Sequence, residues 1–277
     1  MRDVKILNRS FPRGRITHAL FDFDGTVSLI RFGWEEVMQK LMEETIACDA
    51  KRVTPELRRH IREYIDESTG ILTIYQMQWL AEAVKRHGLN DTLLSAKQYK
   101  DIYNKRLLEA KVRARLDDHR GQESKLILKG AGEFLNLLSK SGVELLLASG
   151  TDDIYVQREA AFLNVAYLFG GRIYGAKDDT EEFSKENIIR RSLREESRTL
   201  GKGAVSKESR IVAVFGDGPV EIRAAKGYGA LAVGVASDES VGSGWNPRKI
   251  KRLTDAGADI IIPDFAEGRE LLALIES

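Results

Sequence analysis

Two carboxylates, Asp22 and Asp24, stand two residues apart in the stretch Asp22-Phe23-Asp24-Gly25-Thr26. They close an apolar run over residues 16–21 that reads as a buried strand ending at a glycine-permitted turn. Carboxylates placed there emerge at the carboxyl edge of a sheet, where open α/β folds bind their ligands. One suits nucleophilic attack and its neighbour suits proton transfer. Attack on phosphorus would give an aspartyl-phosphate that water later cleaves, which divides one hard step into two easier ones. An acidic turn after a strand, with no chemistry attached, is the plainer alternative.

Two further strand ends bear on that choice. The run Leu145-Leu146-Leu147-Ala148 gives way to Ser149-Gly150-Thr151, where hydroxyls and a glycine that admits a close backbone N–H suit a phosphate group. The run Ile211-Val212-Ala213-Val214-Phe215 leads into Gly216-Asp217-Gly218-Pro219-Val220-Glu221. Pro219 fits the first turn of a helix, so Asp217 sits at the strand end with Glu221 about one turn on. Two such acids offer oxygen ligands to a hard cation, or serve only as a helix cap and a favourable first-turn charge.

In this order these residues resemble the haloacid dehalogenase superfamily, in its Mg²⁺-dependent phosphatase branch. The resemblance implies Mg²⁺ as cofactor, Asp22 as nucleophile and Asp24 as general acid and base. It implies phosphate contacts from Ser149, Gly150, Gly25 and Thr26, and metal binding by Asp22, the Asp24 carbonyl, Asp217 and Glu221. The family most often has a second Asp where this chain has Glu221, which leaves direct ligation and contact through water both open. The family also uses a phosphate-binding lysine, and Lys185 and Lys177 compete for that place. Lys185 opens an apparent helix capped by Ser184, which favours it over Lys177 in the polar loop Gly175-Ala176-Lys177-Asp178-Asp179.

The elements that position these residues follow from periodicity. Strand and helix alternate after residue 125, with further strands at 230–236 and 259–262 and a surface loop over Glu196 to Glu208. This order predicts an α/β fold, a doubly wound, mainly parallel Rossmann-like sheet. Residues 28–124 break the alternation with helical periods over 34–48, 55–67, 74–87 and 93–116. The predicted domains are therefore a catalytic core, 1–27 with 125–277, and a helical cap, 28–124. A helical insertion directly after the nucleophile strand matches the type-1 cap of the same superfamily, as in phosphoglycolate phosphatases and beta-phosphoglucomutases. Such a cap closes over the site and excludes water, so the implied substrate is a small phosphorylated metabolite. Within it Thr73, Gln76 and Gln78 are candidates to read substrate hydroxyls, or a helix cap and solvated glutamines. Arg31 is a candidate for a second anionic group, or an exposed arginine. Trp79 and Tyr75 read as cap core.

The chain has 277 residues and a formal net charge of +1, which gives no reason to invoke nucleic acid or an anionic membrane. The basic first fifteen residues read as a solvated extension. No apolar run reaches the length of a membrane span or signal core, and the expected location is the cytoplasm. Cys48 is the only cysteine and reads as a core packer. The oligomeric state is not legible. The sequence therefore points to a Mg²⁺-dependent phosphomonoesterase, with a phosphomutase of the same fold as the alternative and a non-catalytic binding protein disfavoured by the intact acids. A nucleotide-binding protein lacks its Gly-rich fingerprint.

Overall fold

The structure, a computed structural model, describes residues 3–49, 52–177, 185–191 and 210–277. Its strands are β1 (Lys5–Ile6), β2 (Arg15–Phe21), β3 (Glu144–Asp152), β4 (Ile173–Ala176), β5 (Arg210–Gly216), β6 (Leu231–Val235) and β7 (Ile260–Ile262). They form one sheet in the order β1-β7-β6-β5-β2-β3-β4. Among the described strands, only the pairing of β1 with β7 is antiparallel. Between and after the strands run α6 (Ala131–Lys140), α7 (Asp153–Phe162), α8 (residues 185–191), α9 (Pro219–Gly227), α10 (Pro247–Asp255) and α11 (Gly268–Glu276). The α/β class and the mainly parallel sheet expected from the sequence are both present.

Strand alternation sets the two cores. Ile16, Ala19 and Phe21 of β2, with Ile211, Ala213 and Phe215 of β5, face one helical layer that includes Phe134 and Leu271. Leu20, Val212 and Val214 face the other, with Ile188, Ile222 and Leu253. Both faces are covered, which is why these strands read as continuous apolar runs rather than alternating ones. Directly beneath the acids, Phe21 and Phe215 stack at 4.6 Å and 7°. Because β2 lies between β5 and β3 in parallel register, the three motif-bearing strand ends emerge side by side at one edge.

Between β2 and β3 the chain inserts α1 (Trp34–Ala47), α2 (Pro55–Glu67), α3 (Thr73–His87), α4 (Ala96–Leu107) and α5 (Arg113–Asp118). Local signals set their ends: Thr54 Oγ1 accepts from Leu57 N at 3.1 Å with Pro55 in the first turn. Ser95 and Gln98 form a reciprocal capping box. The helix expected over 93–116 is two helices joined by a π turn, Leu108–Val112.

Several expectations are corrected. Cys48 is exposed rather than core, because α1 ends at Ala47 and Cys48 takes the left-handed cap with φ 58°. The first fifteen residues are not merely a solvated extension: Lys5–Ile6 adds a strand to the sheet edge and Phe11 is buried. Thr73 is not a helix cap, since Leu72 holds that position. Trp79 packs against the core of the insertion as expected, half-buried and stacked on Tyr64 at 4.0 Å, whereas half-buried Tyr75 lines a surface crevice. The Ser184 cap, Asp178, Asp179, Arg2 and the loop at Glu196 to Glu208 lie outside the described residues. Among those described, no helix is long and apolar enough to cross a membrane.

Candidate active site

Asp22 follows β2 directly and its N–H donates to Phe215 O at 2.9 Å, which pins its backbone to β5 and aims the side chain into the crevice. Lys185, the first described residue of α8, places Nζ 2.6 Å from Asp22 Oδ1 and 3.2 Å from Glu221 Oε2. All three residues are buried. Glu221, in the first turn of α9, also accepts from Gly218 N at 2.8 Å, so it serves the helix end and the site together. Lys177 lies elsewhere: it is half-exposed and 4.0 Å from Asp153. The structure thus brings Lys185, not Lys177, to Asp22.

Asp24 sits across the same cavity. Its Oδ2 accepts from Ser149 Oγ at 3.1 Å and Thr151 Oγ1 at 3.0 Å. Its Oδ1 is buried without a hydrogen-bond partner, and Arg31 Nε stands off at 3.8 Å. A bidentate pair holds Arg31 to Glu159 at 3.0 and 2.7 Å, so this arginine is buried rather than exposed and its charge already has a partner. Burial, opposed by Arg31, lifts the Glu159 carboxyl to about 6.

Asp217 is gripped from the far side by α10. Lys249 Nζ lies 2.8 Å and Arg252 Nη2 2.9 Å from Asp217 Oδ2, and Arg252 Nε donates to Asp217 O at 3.0 Å. Lys249 shares its charge with Glu239 at 2.6 Å. Burial would raise Asp217, but Lys249 and Arg252 outweigh it and hold the carboxyl below its usual value. For Asp22 the balance is opposite: burial dominates over the pull of Lys185 and holds the carboxyl well above the usual range. Burial also works against the Lys185 ammonium, yet Asp22 and Glu221 keep it charged.

Oxygens of Asp22, Asp217 and Glu221 lie within 4.8 Å of one another. This all-oxygen, buried donor set fits a hard divalent cation such as Mg²⁺. The cavity itself measures about 60 Å³, room for only a few water-sized groups. It is lined by Asp22, Asp24, Ser149, Gly150, Lys185 and Asp217, and also by Arg31, Trp34, Thr73, Gln76 and Tyr103 from the insertion side. Gly25 and Thr26 do not line it. The Gly25 N–H is bound to Ser28 O at 2.9 Å, and Thr26 is fully buried with an unpartnered hydroxyl.

The insertion closes directly on these groups. Gly70 (φ 99°) leaves no space for a Cβ, which would strike Glu221 Oε2, and a Cβ on Gly150 would strike the Ile71 carbonyl. Thr73 Oγ1 donates to Gly150 O at 3.3 Å. Gln76 is buried and donates to Ser68 Oγ at 3.1 Å, while Gln78 is exposed in the outer crevice. Reasoning from sequence missed Glu159, Lys249 and Arg252, and read the Thr151 hydroxyl as a phosphate contact rather than as a donor to Asp24. Lys249 and Arg252, three apart on a strongly basic helix, look like a solvated face until the fold turns them inward.

Comparisons with known proteins bear on the family and the fold. A family model for haloacid dehalogenase-like hydrolases matches residues 16–229. No curated protein matches the chain by sequence. Among solved structures, a conserved haloacid dehalogenase-like protein of unknown function from Agrobacterium tumefaciens is similar with a TM-score of 0.56 at 17% identity, covering 95% of this chain and 100% of that one. A provisionally named beta-phosphoglucomutase from Bacteroides vulgatus gives 0.55 at 16% identity, with 96% and 92% covered. A predicted phosphatase from Clostridium acetobutylicum gives 0.54 at 17%, with 94% and 99% covered. With the family model spanning the Asp22, Ser149, Lys185 and Asp217 segments alike, the chain belongs to the haloacid dehalogenase-like hydrolases.

Proposed function

We propose that this protein is a Mg²⁺-dependent phosphomonoesterase acting on small phosphorylated metabolites through a phosphoryl group carried on Asp22. The observation that carries the reading is the buried contact of Lys185 with Asp22 inside a cavity that Asp24 also lines. A carboxylate beside a fixed ammonium, facing a proton donor across a small cavity, is arranged for attack on a phosphate ester.

In this reading an Asp22 oxygen bonds to phosphorus while the ester oxygen leaves. Lys185 neutralises charge on the phosphoryl oxygens. Asp24 gives its proton to the leaving alkoxide, then takes one from the water that cleaves the aspartyl-phosphate and releases inorganic phosphate. Ser149 and Thr151 fix one Asp24 oxygen, and the oxygen without a hydrogen-bond partner is the one left for that proton. Asp22, the Asp24 carbonyl, Asp217 and Glu221 would hold Mg²⁺, which when bound offsets the negative charge that phosphate adds to three buried acids. Residues 28–124 act as the cap that excludes water, and the small cavity restricts the inner site to the phosphoryl group.

Arg31, Thr73 and Gln76 face the leaving group as specificity candidates, supported by their place in the cavity wall. The single exposed thiol of Cys48 suits a reducing cytoplasm. A phosphomutase would use the same residues with a sugar hydroxyl in place of water. The test is hydrolysis of an aryl phosphate by purified protein. Activity should require Mg²⁺ and disappear in a folded Asp22→Asn variant; full activity in chelator or in that variant would sink the reading. Retention of phosphate on a sugar product would shift it to the mutase.

A further inference from the structure

Arg252 stands with one edge on the core and the other on the insertion. On the core side its Nε and Nη2 donate to Asp217 O and Oδ2 at 3.0 and 2.9 Å. On the insertion side its Nη1 donates to Glu35 Oε1 of α1 at 3.1 Å and Thr69 Oγ1 at 3.4 Å. One turn earlier on α10, Arg248 Nη2 holds Asp66 Oδ2 of α2 at 2.7 Å. The second Asp66 oxygen, Oδ1, is buried without a hydrogen-bond partner. It lies 3.6 Å from Arg252 Nη1, just beyond bonding distance. An unfilled acceptor therefore waits on the insertion side of a guanidinium that is now divided between the two.

We propose that Arg252 is a positioning residue that couples closure of the helical insertion to cation binding at Asp217. The inference rests on the Mg²⁺ site of the proposed function and goes beyond it. A divalent cation at Asp217 repels the guanidinium on that side. Arg252 has another anionic seat within a small movement, the Glu35 carboxylate together with the vacant Asp66 Oδ1. Loosening its hold on Asp217 strengthens its hold on α1 and α2, and so holds the Thr69–Gly70 segment more firmly in the place it already takes against Glu221 and Lys185. Coupling of binding equilibria is reciprocal. A closed insertion, by holding the guanidinium charge through Glu35 and Asp66, therefore makes Asp217 a better ligand. Arg252 touches neither phosphate nor the reacting atoms in this scheme, and acts through Asp217 and the insertion.

The test uses the full chain and Mg²⁺ alone, with no substrate. Calorimetry gives the Mg²⁺ affinity, and hydrogen exchange of residues 68–72 reports closure. In the wild type, Mg²⁺ should slow exchange in that segment. In Glu35→Gln/Asp66→Asn, Arg252 keeps only Asp217 as its anion, and Mg²⁺ affinity should fall about tenfold, within the usual range of coupling between sites. In Arg252→Met, Mg²⁺ should bind at least as tightly as in wild type, but exchange at 68–72 should no longer respond to it. Arg252→Lys, which keeps the charge and loses the fork, should show the same loss of response if the Met variant does not fold. Wild-type Mg²⁺ affinity in the double variant, or an unchanged exchange response in both Arg252 variants, overturns the coupling while leaving the metal site standing. Absence of Mg²⁺ binding by the wild type overturns both.

Discussion

Replacing Lys185 by Met keeps roughly the length of the side chain and removes the ammonium that Asp22 and Glu221 share. At 2.6 and 3.2 Å those two contacts correspond to about 6 and about 5 kcal/mol of attraction at an effective dielectric of about 20. Burying the ammonium offsets much of this, and removing one partner of a buried pair leaves a net loss of about 3–5 kcal/mol. Denaturant unfolding at pH 7 should show that loss. It should also depend on pH. Burial already raises Asp22, and without Lys185 the folded value rises further above the unfolded one. A raised carboxyl favours the folded state below its unfolded pKa, and that stabilisation is lost as pH rises through the folded pKa. The deficit of the variant should therefore shrink toward pH 5, and added Mg²⁺ should reduce it at pH 7. Activity should fall about a hundredfold or more, the scale for losing a preorganised charge at the transferring group. Lys177→Ala, at a half-exposed site, should change stability by no more than about 0.5 kcal/mol and activity only a few-fold. A Lys185→Met protein within about 1 kcal/mol of wild type at both pH values would refute the reasoning, since that is far below the cost of an orphaned buried charge.

Three further outcomes follow from the same contacts. Asp24→Asn should slow turnover of poor leaving groups by about a hundredfold and slow phospho-enzyme formation from activated esters much less; equal losses across leaving groups would remove its proton-transfer role. Gly150→Ala forces a methyl against the Ile71 carbonyl, so kcat/KM should drop about tenfold to a hundredfold as the insertion is displaced, and a wild-type rate would mean the closed contact is not used. Burial lifts Glu159 from 4.5 to about 6, about 2 kcal/mol. By linkage that stabilisation is present below pH 4.5 and is lost as pH rises through 6. Between pH 7 and 4.5 the wild type should thus gain about 2 kcal/mol on Glu159→Gln in thermal or denaturant unfolding, and a flat difference would contradict the burial argument.

The parts of the site that were legible in the sequence are those fixed by strand ends. Asp22, Ser149 and Asp217 terminate continuous apolar runs, and a parallel sheet buried on both faces leaves such runs no other reading. Lys185 was legible through the helical pattern that follows it, and the structure places it in a helix beside Asp22. The insertion helices were legible through their caps, as at Thr54-Pro55, where the chemistry is local. What escaped depends on contacts between segments far apart in sequence. Glu159 looks like an ordinary helical acid until Arg31, 128 positions away, is seen to pair with it. Lys249 and Arg252 look like solvent-facing charges because the buried acid they serve, Asp217, belongs to a different strand end. Cys48 and Thr73 were misplaced at helix boundaries, where one residue of shift changes which way a side chain faces.

The phosphoryl group on Asp22 is the central claim, and it can be observed directly. Purified protein mixed with Mg²⁺ and an activated aryl phosphate, quenched in acid within the first turnover and digested, should give a peptide phosphorylated at Asp22 by mass spectrometry. Asp24→Asn should accumulate more of it, because the water that cleaves it lacks its base. Steady turnover with no phosphate on Asp22 at any quench time, or phosphate on another side chain, would contradict the account.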